Sequence, residues 1–208
     1  MKKFIFTSPL QKPEYLGKNI YQAEGNQMLQ YDVANSFPIL SAINGYTEEN
    51  EEIEIITIVI DYENAKKNYE TFKEQLKEIE DRKKLKCNLV TVDIEYADGM
   101  EVQLDTLDKL LDLMEDGDEL YACVTYGSKV VSIVEFMTIN YAYHIKKNVT
   151  CECIVYGQKD HNADKYKVFD VTSLFYLDAV VKQLSASKNP HASEIIKKML
   201  KEDSQDDE

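Results

Sequence analysis

Residues 119–129 read Glu-Leu-Tyr-Ala-Cys-Val-Thr-Tyr-Gly-Ser-Lys, a short apolar run that breaks at a glycine and hands over to a helical pattern. The spacing predicts a buried strand over 119–125, a tight turn at Tyr126-Gly127-Ser128-Lys129, and a helix over 130–147. Lysines in the last turn of that helix complement its dipole. Val149 to Tyr156 is again strand-like and is closed by Gly157. Strand, helix and strand in this order form a βαβ unit, which requires a parallel sheet.

Working outward, Ile53 to Ile60 (IEIITIVI) is almost wholly apolar and β-branched, as expected of a central strand covered on both faces. Asp61 caps a charged helix from Tyr62 to Lys84, with Ala65, Tyr69, Phe72, Leu76 and Ile79 on one stripe. Leu85 to Ile94 is a strand, and a helix from Glu101 to Met114 stops before the turn Asp116-Gly117-Asp118. Lys3 to Thr7 is the first strand, ended by Ser8-Pro9. Residues 8–30 hold Pro9, Pro13, Gly17 and Gly25 and read as a long irregular connection, a length that marks a functional loop or a hidden hairpin. Tyr31 to Ile43 reads as a helix despite Pro38.

Beyond Gly157, a polar loop over 158–167 precedes a short strand from Val168 to Val171 and a helix from Thr172 to Leu184. Six strands in βα alternation predict an α/β fold: a Rossmann-like, doubly wound, mostly parallel six-stranded sheet over residues 1–184. Residues 185–208 are expected to add a helix from His191 to Lys201 and a disordered acidic tail.

The 208 residues carry 24 Lys+Arg against 38 Asp+Glu, a net charge of −14, and 44% are hydrophobic. That supplies a sizeable core and argues against a grip on long duplex DNA or RNA, which depends on lysine and arginine at phosphates. Arg82 is the one arginine. Ten of the acids lie in two clusters, Glu48 to Glu54 and Glu202 to Glu208; without them 28 acids face 24 bases, so a local pocket for a small anion is compatible with the body of the chain. The first cluster reads as a solvated loop. No stretch has the roughly 18 apolar residues of a membrane span and no signal-peptide core follows Met1, so a cytoplasmic protein without membrane contact is expected. Cys87, Cys123, Cys151 and Cys153 lack zinc spacing and are expected to be reduced and buried, with no metal and no cofactor.

In doubly wound sheets ligands sit outside the carboxyl ends of the strands. The candidates are therefore Thr7, Ser8 and Pro9; Asp61 and Tyr62; Glu95 and Tyr96; Thr125 to Lys129; and Gly157. Neither G-x-G-x-x-G nor G-x-x-x-x-G-K-[ST] is present, which disfavours a dinucleotide oxidoreductase and a P-loop NTPase. The turn Thr125-Tyr126-Gly127-Ser128-Lys129 suits a phosphate, because glycine admits close approach, helix-start amides point outward, and Ser128 and Lys129 add a hydroxyl and a cation. The plainer reading makes Ser128 a helix cap and leaves Lys129 in solvent. Thr7 and Ser8 can donate hydrogen bonds to the same ligand, the plainer reading being an ordinary turn with Pro9, and Tyr126 can stack on a base. His144, His161 and His191 have no patterned Asp, Cys or Ser partner and receive no catalytic role.

Leu120 to Gly157, with the T-x-G-x-K turn of Thr125, Gly127 and Lys129, the helix ending Asn140-Tyr141-Ala142-Tyr143-His144-Ile145-Lys146-Lys147 and the strand ending Ile154-Val155-Tyr156-Gly157, resembles the CARF domain. That is the CRISPR-associated Rossmann-fold sensor of type III CRISPR antiviral defence. Val168 to Leu174 also resembles a segment of that family. Tyr126 and Ser128 depart from its commoner turn patterns.

The resemblance implies binding of a cyclic oligoadenylate, the tetraadenylate foremost, across the two-fold axis of a homodimer, with Ser8 at a ligand-contacting position. About 24 residues after Leu184 leave no room for an effector domain, so a stand-alone sensor is expected. As a ring nuclease it would cleave the messenger without metal: each ribose 2′-hydroxyl attacks its own phosphate, Lys129 stabilises the developing charge, and Thr7, Ser8 and Ser128 position the groups. As a non-catalytic module it would bind or sequester the ring and regulate a separate effector protein. A weaker third possibility is a flavodoxin-like or nucleotide-metabolising enzyme with no affinity for such rings.

Overall fold

Residue Ile5 sits at the centre of the sheet, registered with Ile56 on one side and Ala122 on the other. The computed structural model describes residues 1–97, 99–160 and 165–202. Its strands are β1 (Lys2–Thr7), β2 (Tyr21–Glu24), β3 (Glu52–Ile60), β4 (Lys86–Ile94), β5 (Glu119–Cys123), β6 (Thr150–Asp160) and β7 (Lys165–Asp170). They form one sheet in the order β2-β7-β6-β5-β1-β3-β4. β4, β3, β1, β5 and β6 are parallel; β7 runs antiparallel to β6, and β2 pairs with β7. Helices α1 (Ile39–Tyr46), α2 (Glu63–Lys83), α3 (Met100–Asp112) and α4 (Lys129–Ile145) complete a compact unit of residues 1–170, and α5 (Thr172–Ala186) and α6 (Ala192–Glu202) belong to a second unit, residues 171–208. The α/β, mostly parallel and Rossmann-like architecture is the one expected.

Near-continuous apolar strands dictate this arrangement. β1 and β3 are buried on both faces, as parallel strands between helices must be. Phe6, Phe37 and Phe72, all fully buried, meet at centroid distances of 4.4 to 6.4 Å, joining β1 to α2 and the start of α1.

Three expectations need correction. The sheet has seven strands, because Tyr21–Glu24 inside the long connection forms an edge strand too short to show a period of two. The helix expected from Tyr31 starts at Ile39, since proline has no amide hydrogen to give and is tolerated only where a helix begins. Gly157 does not close β6, which continues to Asp160 and pairs with β7 from Lys165 onward. A Cβ at Gly157 would lie 2.3 Å from Pro38 Cγ, so this glycine serves close packing within a strand. Of the residues read as a loop, Gln158 to Asp160 and Lys165 to Lys167 pair in that antiparallel ladder. His161 and the tail beyond Glu202 fall outside the described residues.

The four cysteines are free, three of them buried. Among the described residues no helix is long and apolar enough to cross a membrane, and no group of His, Cys, Asp and Glu is arranged to hold a metal ion. Not all of the Glu48 to Glu54 cluster is solvated loop: Glu51 pairs with Lys2 at 2.8 Å and Glu54, on β3, with Lys3 at 3.3 Å.

Candidate functional site

The strand order reverses direction at β1, which pairs with β3 on one side and β5 on the other, and the carboxyl ends of these strands open toward the start of α4. Every residue of the turn between β5 and α4 has a defined task. Thr125 Oγ1 accepts the Gly157 N–H at 2.8 Å and lies 3.2 Å from the Cys123 thiol, tying the turn to β6. The Tyr126 hydroxyl donates to the Ser36 carbonyl at 2.7 Å, and its ring meets Phe37 edge-on. Burial pushes that phenol well above its usual pKa.

Gly127 has φ +95°, and a Cβ there would lie 2.8 Å from Thr7 Cγ2. Ser128 is the N-cap of α4, its Oγ accepting the Val131 N–H at 3.3 Å. Lys129 opens the helix and is exposed.

Several sequence-derived roles change accordingly. Thr7 and Ser8 are fully buried: the Thr7 hydroxyl donates to Glu135 Oε1 at 2.7 Å and the Ser8 hydroxyl to the Ala65 carbonyl at 2.7 Å, so neither is presented to a ligand. Pro9 is also buried, and its carbonyl accepts from Asn68 at 2.8 Å. Tyr126 points into the core, where its ring cannot stack on a base. The plainer reading of Ser128, as a cap, is the one realised. His144 is exposed on α4, and His191 lies 3.2 Å from Glu194 in the second unit.

Glu135 went unseen in the sequence. It lies on α4, two turns after Ser128, and is fully buried. Oε1 accepts from Thr7, while Oε2 is buried without a hydrogen-bond partner. Burial outweighs the Thr7 hydrogen bond and raises its carboxyl to about 8. A single glutamate within a helical pattern gives no periodic signal that it faces inward; only its place among Val131, Val134 and Thr138 hints at it.

The remaining candidates gather at the ends of β3 and β4. Asp61 does not cap α2, whose N-cap is Tyr62 without a side-chain hydrogen bond; it is exposed and paired with Lys66 at 2.5 Å. Tyr62 and Tyr96 stack with centroids 5.2 Å apart and planes 21° from parallel. Tyr96 borders a cleft of about 190 Å³ whose walls include Leu10, Ile60, Ile94, Ser128 and Val131. The structure thus brings Tyr62, Tyr96 and Ser128 to one rim, with Lys129 next in sequence at the helix start. Chemically the assembly offers an exposed ammonium and the amides of a first helical turn beside an apolar slot.

Compared with protein-family models and with curated proteins, the chain matches none.

Gly127→Ala is expected to cost about 2 kcal/mol, from the strained φ and the contact with Thr7. Thr7 cannot swing its methyl aside without giving up the hydrogen bond to Glu135. Adding Thr7→Ser, which removes the methyl and keeps the hydroxyl, should recover part of the loss in a thermal melt. Equal melting of the single and double variants would show that the methyl is not the obstacle.

Proposed function

We propose that the chain is a sensor of the CRISPR-associated Rossmann-fold type, binding one cyclic oligoadenylate across the two-fold axis of a homodimer. The observation that carries this is on α4. The helix has an exposed cation at its anion-attracting end, and Val130, Ile133, Met137 and Tyr141 follow it as an exposed apolar stripe spaced by three and four residues. A two-fold axis running along α4 would bury that stripe against its copy and bring both Lys129 residues to the same end, where a ring of phosphates meets each of them in the same way.

The geometry favours binding over cleavage. Thr7 and Ser8 are committed to internal partners, while Ser128, whose oxygen accepts at the cap, keeps an O–H on the cleft rim, so Lys129 and Ser128 are the groups of the ring-nuclease scheme that face outward. The Lys129 ammonium can stabilise a leaving oxygen and the Ser128 O–H can hold a phosphate, but neither is a base for the proton of a ribose hydroxyl. The second reading, metal-independent cleavage, therefore rests on Lys129 and Ser128.

Titration calorimetry with cyclic tri-, tetra- and hexaadenylate tests the proposal. One of these is expected to bind at one ring per two chains. Lys129→Ala should weaken it about 100-fold, since a charge-assisted contact is lost twice. Incubation followed by chromatography should leave the ring intact; linear products ending in a 2′,3′-cyclic phosphate would restore the nuclease. No heat with any ring would remove the proposal altogether.

A further inference from the structure

The two tyrosines at the ends of β3 and β4 are exposed, Tyr62 by 41% and Tyr96 by 65%, yet lie face to face. Two stacked rings left in water are an aromatic surface without a buried purpose, of the kind that recognises flat ligands. Beside Tyr96, the cleft is walled by the aliphatic side chains of Leu10, Ile60, Ile94 and Val131 and has Ser128 and Glu95 among its lining residues. An apolar slot with a few polar groups is how proteins hold a planar heterocycle.

Size and charge narrow the occupant. At about 190 Å³ the cleft is smaller than the roughly 300–1,000 Å³ of sites that enclose a whole drug-sized ligand, so it admits one ring system. The Glu95 carboxylate repels a phosphate but can accept from an exocyclic amino group. The cation able to meet a phosphate is Lys129, directly after Ser128.

We propose that this cleft is the seat of a single purine base, with the base against Tyr96, and that Tyr62 acts as a positioning residue by holding the Tyr96 ring. Resting on the nucleotide reading above, it divides the labour: base in the apolar slot, phosphate at the start of α4. The base taken by such a seat in a cyclic oligoadenylate is adenine.

Free adenosine, which has no phosphate, isolates the seat from Lys129. It is expected to bind the full-length chain weakly and saturably, measured by ligand-observed NMR and by tyrosine emission, which no tryptophan obscures because the chain has none. Ribose 5-phosphate should not bind there. Tyr96→Ala should weaken adenosine about tenfold or more, Tyr96→Phe should keep it, and Lys129→Ala should leave it unchanged. Tyr62→Ala should give an intermediate loss that Tyr62→Phe rescues. Tyr96 is exposed, so these variants are expected to fold, with circular dichroism as the check.

Adenosine that fails to bind, or binds equally well to Tyr96→Ala, overturns the seat, whatever the cyclic rings do. Adenosine binding that depends on Tyr96, with no affinity for any ring, upholds the seat and removes the cyclic-ligand proposal instead.

Discussion

Replacing Lys3 with methionine is expected to destabilise the sheet unit by about 3 kcal/mol, because it removes the buried cation that Asp118 and Glu54 share. Lys3 enters the sheet on β1 with its side chain only 4% exposed; its ammonium lies 3.1 Å from Asp118 Oδ2 and 3.3 Å from Glu54 Oε1 and also donates to the Leu113 carbonyl. Asp118 is itself 1% exposed. It accepts the Glu115 N–H at 2.7 Å, so one aspartate fixes both the turn before β5 and the lysine of the neighbouring strand. The terminal ammonium of Met1, 3.5 Å from Oδ1, remains as an ion-pair partner of Asp118, but it is 41% exposed and offsets only part of the loss. Methionine fills the space of the lysine stem and so separates loss of charge from loss of volume.

Urea unfolding followed by near-ultraviolet tyrosine signals should show the midpoint falling. Asp118→Asn should cost less than Lys3→Met, since Lys3 keeps Glu54. The loss should change little between low and high salt, because burial shields the group from screening. A deficit below about 1 kcal/mol, or one that vanishes in salt, would mean that this cluster behaves as an ordinary surface pair.

How much of the molecule was legible beforehand follows from which signals are local. β1, β3, β5 and α2 announced themselves, because a fully buried strand or a long amphipathic helix repeats one message over many residues. β2 did not: four residues at an edge, between prolines and glycines, carry too short a pattern. The extension of β6 past Gly157 was hidden because the glycine is there for Pro38, a contact 119 residues away in sequence. At the site, position was readable and direction was not. The strand-end rule located Thr7, Ser8 and Tyr126 correctly, yet it could not say that all three side chains turn inward. Tyr62 and Tyr96 were placed by the same rule, but their stacking requires β3 and β4 to be neighbours, which only the sheet order supplies.

Glu135 gives the other large effect, in the pH dependence of stability. Its carboxyl titrates at about 8 in the folded chain, against an ordinary value of 4.5. A raised acid means that the folded state holds a proton the unfolded state has already released. Between those two values, stability attributable to Glu135 is present at the acid end and lost as pH rises, by at most about 1.4 kcal/mol per pH unit. Above about 8 the loss is complete, and a buried anion remains with Thr7 as its donor and the Cys123 thiol as an electrostatic neighbour.

Glu135→Gln removes the titration while keeping the shape and an acceptor for Thr7. Its amide leaves N–H groups short of partners, a fixed cost of about 1–3 kcal/mol. The informative quantity is therefore the difference between the two proteins as pH changes. The variant should start less stable near pH 5, draw level as pH rises, and match or exceed the parent near pH 8.5. The opposite trend of the salt-bridged acids, such as Glu51, whose carboxyl is held below its usual value, is common to both proteins and cancels. Parallel curves from pH 5 to 8.5 would mean that Glu135 is already ionised throughout and that its cavity is wetter than its burial implies. Because Gly127 rests on Thr7 and Thr7 on Glu135, the same measurement bears on the turn that presents Lys129.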